Sequence, residues 1–110
     1  MNADYCIALS TFADEATAAQ IARTLVEERL AACGTLLPRA RSIYRWRETI
    51  EDAEEVVLLL KTRTERFAAL CTRLHELHPY ETPEITALPI VAGLAEYLLW
   101  IDGATADPQE

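Results

Sequence analysis

The chain predicts an α+β domain: four strands and two amphipathic helices in the order βαββαβ, closed by one further helix. Three observations predict it. Apolar residues recur at helical spacing in two stretches, around Ile21 and around Leu70. Short runs rich in β-branched and aromatic residues lie between and around them. One run, Val56-Val57-Leu58-Leu59-Leu60, is apolar at every position, as a strand covered on both faces would be. This element order is that of the ferredoxin-like sandwich. At 110 residues, with no repeat or compositional break, the chain reads as one domain.

Taken in order, Tyr5 to Thr11 reads as a strand, with Tyr5, Ile7 and Leu9 on one face and Cys6, Ala8 and Ser10 on the other. Asp14 offers an N-cap, and Ala18, Ile21, Ala22, Leu25, Val26 and Leu30 form one stripe, predicting a helix over 14–32. Residues 33–47 predict a long strand bent near Pro38. Strict alternation puts Arg39, Arg41, Ile43, Arg45 and Arg47 on one side and Ala40, Ser42, Tyr44 and Trp46 on the other; a bulge would exchange the faces. A hairpin turn is expected at 48–50, and the acidic Glu51, Asp52, Glu54 and Glu55 then face the arginines across the pair.

Two helices cover one face of such a sheet. The doubly apolar run at 56–60 therefore requires something on the other face, and a second copy of the chain is the simplest cover. Thr64 is expected to cap the second helix, whose stripe is Phe67, Leu70, Cys71, Leu74 and Leu77. A strand over 85–91 follows, then a helix opened by Gly93 with Leu94, Tyr97, Leu98 and Ile101 on one face, and a frayed tail over 104–110.

The stretch His75-Glu76-Leu77-His78-Pro79-Tyr80-Glu81-Thr82-Pro83-Glu84-Ile85 is the candidate for function. Pro79 and Pro83 each lock φ, remove a donor and push the preceding residue to extended backbone. The linker is therefore stiff, and it holds both histidines of the chain among three carboxylates. Imidazole with carboxylate suits zinc or copper, and His75 and His78 at i, i+3 would share a helix face. The commoner role of a helix-terminal histidine is to bond the last carbonyls.

The net charge of −8 excludes a nucleic-acid backbone or an anionic membrane as partner, since both require a basic face. No apolar run approaches a bilayer-spanning length. Cys6, Cys33 and Cys71 are odd in number and without metal-type spacing, which leads to the expectation of reduced thiols in the cytoplasm. No glycine-rich phosphate loop and no nucleophile signature are present, so a binding protein is expected rather than an enzyme.

Five segments stand in order along the chain: Glu28-Arg29-Leu30-Ala31-Ala32-Cys33, Ser42-Ile43-Tyr44-Arg45-Trp46, Leu60-Lys61-Thr62, His78-Pro79-Tyr80-Glu81-Thr82-Pro83-Glu84 and Tyr97-Leu98-Leu99-Trp100-Ile101. In this order and spacing they resemble the CutA family of divalent-cation tolerance proteins. The resemblance implies a ferredoxin-like subunit in a tight homotrimer. It also implies an intersubunit cleft lined by Cys33, Tyr44, Lys61, Tyr80, Glu81, Glu84 and Trp100. Tolerance of copper and other divalent cations is the implied role, with no required cofactor. A PII-like small-molecule sensor and a trimer scaffolding a partner protein are the alternatives. The family's three copper-ligand positions fall on Ser10, Leu77 and His78, so His78 alone is kept as a metal ligand. Where the family's hairpin turn carries glycine, this chain has Glu48, a strained residue at positive φ.

Overall fold

The computed structural model describes residues 3–107. Its elements are β1 (Tyr5–Phe12), α1 (Glu15–Glu27), β2 (Cys33–Trp46), β3 (Thr49–Arg63), a 3-10 turn (Thr64–Arg66), α2 (Phe67–Leu77), β4 (Thr86–Pro89) and α3 (Ala95–Ala104). The four strands form one antiparallel sheet in the order β2-β3-β1-β4, the arrangement expected of a ferredoxin-like sandwich.

The core lies on the face covered by α1 and α2. Ala8 and Phe12 of β1 and Val56, Leu58 and Leu60 of β3 meet Ala18, Ile21, Ala22 and Leu25 of α1 and Leu70 and Leu74 of α2. Small residues on β1 let the helices sit close. Gly34 does the same on β2, where an added Cβ would lie 3.0 Å from the Ala22 side chain. Arg73 binds α2 to the end of α1 through a two-pronged pair with Glu28, both bonds 2.9 Å.

Asp14 caps α1 as expected, Oδ1 accepting the Thr17 N–H at 2.8 Å. The helix ends at Glu27 and does not reach residue 32. Arg29 takes φ 61°, and the N–H groups of Leu30 and Arg29 bond the carbonyls of Leu25 and Val26 at 3.0 Å each. This closure is a Schellman motif with arginine in the place that usually holds glycine, and it turns Leu30 back onto the core. Thr64 is not a helix cap: it opens a 3-10 turn, and its hydroxyl donates to the Ala3 carbonyl at 2.6 Å. Strand β4 is shorter than the expected 85–91.

The tail is also better held than expected. Ala104 closes α3, and Thr105 is fully buried, with its carbonyl oxygen accepting from Arg63 at 2.7 Å and Arg66 at 2.9 Å. The last three residues of that expected tail, 108–110, lie outside the described residues.

Strands β2 and β3 outrun β1, and from Ala40 they continue alone as a two-stranded ribbon; with it the chain measures 47 × 25 × 22 Å. A bulge between Leu37 and Ala40, with Arg39 at φ 58°, shifts the register by one residue. Beyond it the alternation is as read: Ser42, Tyr44 and Trp46 share a face, and Arg41 and Arg45 share the other with Ile43. Arg41 pairs with Asp52 through bonds of 2.8 and 2.7 Å in full view of solvent, where such pairs add little stability. The turn is the two-residue Arg47-Glu48, with φ 48° and 75°.

In the single chain the run at 56–60 is not buried on both faces. Val56, Leu58 and Leu60 are buried against the helices, whereas Val57 and Leu59 on the far face are half-buried. Packing of α3 at the Lys61 end of that face leaves Leu37, Leu88, Leu94, Leu99 and Trp100 exposed.

Candidate functional site

The linker leaves α2 at Leu77 and crosses the sheet where β1 stops and the ribbon carries on. Two consequences follow for the histidines. His78 is the C-cap residue with extended backbone, as the following proline demands, so it does not share a helix face with His75. His75 is exposed, and His78 is only 7% exposed.

The His78 ring stacks on Phe12 at a centroid distance of 4.2 Å and meets Tyr80 at 4.8 Å. Its Nε2–H donates to the Thr11 carbonyl at 2.9 Å, and its Nδ1 accepts the Tyr80 N–H at 3.1 Å. These two bonds define the neutral Nε2–H tautomer. Burial pushes the imidazole below its ordinary value, opposed by the Thr11 carbonyl and the Glu55 charge. Neither ring nitrogen has a lone pair left for an ion. Copper or zinc ligated by His78 therefore does not fit this arrangement, and His78 serves instead to pin the linker to β1.

Fixed in this way, the linker forms one wall of a cleft of about 610 Å³ whose other wall is the ribbon. Tyr44, Trp46 and Tyr80 supply aromatic surface, and Glu55, Glu81 and Glu84 supply carboxylates. Glu55 is 7% exposed and accepts the Tyr80 hydroxyl at 2.8 Å. Burial and the adjacent carboxylate raise the Tyr80 phenol well above its usual range, so Tyr80 stays a neutral donor. Glu81 pairs with Arg47 at 3.0 Å, and Glu84 accepts the Thr86 hydroxyl at 3.2 Å. Among the described residues, no three metal-ligating side chains converge.

The remaining expected site residues gather elsewhere. Cys33 and Lys61 stand opposite each other on β2 and β3, with Lys61 Nζ 3.6 Å from Cys33 Sγ. Tyr97 of α3 brings its hydroxyl to 3.6 Å from the same sulfur, and Trp100 packs 5.4 Å from the Tyr97 ring. Along β3, Glu55 and Lys61 are separated by roughly 20 Å at about 3.3 Å per residue. Within one chain the expected site is thus two clusters: Tyr44, Tyr80, Glu81 and Glu84 in the linker cleft, and Cys33, Lys61 and Trp100 at α3.

Trp46, Glu55 and Tyr97 were missed as site residues. Trp46 shares the alternating face of Tyr44, which was a usable signal. Glu55 hid in the acidic run of the ribbon. Its difference from Glu51 or Glu54 comes from the linker that covers it.

The family model described as CutA1 divalent ion tolerance protein matches residues 6–104. The chain belongs to the CutA1 family. A divalent-cation tolerance protein CutA from Pectobacterium atrosepticum is 45% identical over 101 residues, 92% of each chain. The crystal structure of CutA from Xylella fastidiosa superposes with a TM-score of 0.91 at 46% identity, covering 94% of this chain and all of that one.

A third CutA relative, from Archaeoglobus fulgidus, overturns the expectation of a cytoplasmic protein. It is described as a periplasmic divalent cation tolerance protein, and it matches at 37% identity and a TM-score of 0.90 over 93% of this chain and 99% of its own. Unpaired thiols do not report the compartment in this fold: Cys6 is buried and Cys33 and Cys71 are half-buried, on three different elements. Among the described residues, no helix is long and apolar enough to cross a membrane.

Proposed function

We propose that the chain works as a homotrimeric, non-enzymatic binding or regulatory protein in divalent-cation tolerance, with the linker cleft as its ligand site. The observation that carries this reading is the cleft: a concave site of ligand size that within one chain is lined by three glutamates and, among the described residues, by no lysine or arginine. The names of its CutA relatives support a cationic ligand or cargo. In this reading the oxygen atoms of Glu81 and Glu84 receive the ion at the rim, and His78 positions the linker. Binding rather than catalysis accords with an imidazole tied at both nitrogens, which has no capacity left as a proton acceptor.

Support for the trimer comes from the apolar far face of the sheet and from α3, which together expose Leu37, Leu88, Leu94, Leu99 and Trp100. In such an assembly the Cys33–Lys61–Trp100 cluster of one subunit would complete the linker cleft of the next. The test is calorimetric titration of copper and zinc into the metal-free protein and its Glu81→Gln/Glu84→Gln variant. Saturable binding at a whole number of ions per three chains, lost in the variant, is the expected result. Binding unchanged in the variant, or no binding, overturns the assignment of the ion to the rim.

The aromatic walls favour a second reading, a sensor of small organic ligands. Tyr44, Trp46 and Tyr80 offer surface that a bare metal ion cannot use.

A further inference from the structure

Lys61 is the single lysine of a chain whose other strong bases are all arginine, and it stands opposite a cysteine. The register of β2 and β3 pairs Cys33 with Lys61, so the two side chains leave the same face of the sheet. The backbone enforces this meeting: next to Cys33, the Ala32 N–H bonds the Lys61 carbonyl at 2.8 Å. Lys61 Nζ lies 3.6 Å from Cys33 Sγ and, among the described residues, is bonded to no carboxylate. The Tyr97 hydroxyl stands 3.6 Å from the same sulfur. That bond is the chief cause that raises the Tyr97 phenol above its ordinary value, so it stays a neutral donor. Cys33 and Lys61 are each half-buried, open to a molecule the size of water. A thiol and a lysine amine are both nucleophiles, whereas a guanidinium keeps its proton and is not. Cys71 is likewise half-buried, on α2, but no amine is bonded to its sulfur.

We propose that Cys33 and Lys61 form a reversible redox bridge, a sulfur–nitrogen bond closed after oxidation of the thiol by a peroxide. Cys33 Sγ attacks one oxygen of hydrogen peroxide as the thiolate, with the Lys61 ammonium beside it to balance the charge. The S–O bond forms, the O–O bond breaks, and the leaving hydroxide departs as water, which leaves a sulfenic acid. Lys61 Nζ, after losing its ammonium proton to solvent, then attacks the sulfur. The S–N bond forms, the S–O bond breaks, and the departing hydroxide takes a proton from the amine as a second water. In sum the sulfur gives two electrons to the peroxide. Two successive thiols reverse the bridge, the first releasing the amine as it forms a mixed disulfide and the second restoring the Cys33 thiol. The flexible stem of lysine can close the gap without moving either strand. The bond removes the positive charge of Lys61 and shields the sulfur from further oxidation. None of this depends on the linker cleft as a ligand site.

The experiment treats the reduced full chain with hydrogen peroxide, blocks the remaining thiols, digests the chain and reads the peptides by mass spectrometry. The expected product is one linked pair of peptides, carrying Cys33 and Lys61, whose mass is their sum less two hydrogens. Dithiothreitol should separate the pair and return Lys61 to an amine-reactive label. In Lys61→Arg, which keeps the charge, and in Lys61→Gln, which does not, the pair should be absent and Cys33 should go on to sulfinic acid. Oxidation of Cys71 should be the same in all three proteins, which controls for peroxide exposure and for folding. A linked pair that retains an oxygen overturns the direct bond. Equal sulfinic acid at Cys33 in parent and variants, Cys33 found only in disulfides, or Cys33 left unoxidised while Cys71 reacts overturns the bridge.

Discussion

His78 links the core to the cleft through a single ring, donating to β1 from one nitrogen and accepting from the linker at the other. Its folded-state proton affinity is lowered, chiefly by burial, so the unfolded chain binds the proton more readily. Stability from this group is complete above the ordinary value of 6.5 and is lost as pH falls below it towards the folded value. The carboxylates held low by arginine partners, Glu28 beside Arg73 and Asp52 beside Arg41, act only in more acidic solution. Denaturant midpoints should therefore decline in the parent as pH falls below 6.5, and a His78→Gln variant should be nearly flat where that decline begins. Ser10 shows the opposite economy. Its hydroxyl is fully buried with no hydrogen-bond partner among the described residues. Chemical denaturation should show Ser10→Ala to be more stable by about 1 kcal/mol, the cost of an unsatisfied buried hydroxyl.

At the scale of elements, the ribbon and the end of α1 carry backbone strain. Arg47 and Glu48 both take positive φ in a two-residue turn, the geometry that matches the twist of a hairpin and favours Asn or Gly. Glycine at the second position removes the clash of Cβ with the backbone, so Glu48→Gly should raise the thermal midpoint, with a gain of about 1 kcal/mol. The Schellman closure of α1 poses the same problem at Arg29. Its benefit is the return of the chain to the sheet, where the Ala32 N–H bonds the Lys61 carbonyl at 2.8 Å and β2 begins. The linker is rigid for a different reason: its two prolines restrict the backbone, and His78, Tyr80 and Glu55 then fix the side chains in a connected set.

For the whole molecule, the division of the sheet into a dry face and a half-covered apolar face is the dominant feature. Val57, Leu59 and Leu37 lie together on the second face, with Leu37 48% exposed and opposite Val57. A carboxylate introduced there leaves the isolated fold intact, because Leu37 is accessible in it, but must be buried unpaired in any assembly through that face. Leu37→Glu should weaken self-association by on the order of a hundredfold or more, seen as a shift to single chains in sedimentation velocity. An unchanged particle size would place the subunit contact elsewhere. The two clusters of expected site residues, separated along β3, make the same point about assembly: a cleft that contains all of them needs more than one copy of the chain.

The strands, the helices and their order were legible from local pattern. Apolar period sets the face that an element buries, and Asp14 and Pro79 mark a helix start and a helix stop through their own geometry. Motif order alone also identified the CutA family, because five separated segments had to coincide. What pattern alone left open was decided by contacts between distant residues. Leu30 to Ala32 continue a helical stripe in sequence, yet a left-handed Arg29 turns them into a loop that packs on the sheet. Val57 and Leu59 are as apolar as Leu58, but only one side of a strand can face the helices of its own chain. His78 reads as a metal ligand in a list of residues; the folded chain instead spends both of its nitrogens on Thr11 and Tyr80, since a buried ring must satisfy its polar atoms. Glu55 is one acid among several in the ribbon until the linker crosses above it, and that crossing turns it into the floor of a cleft.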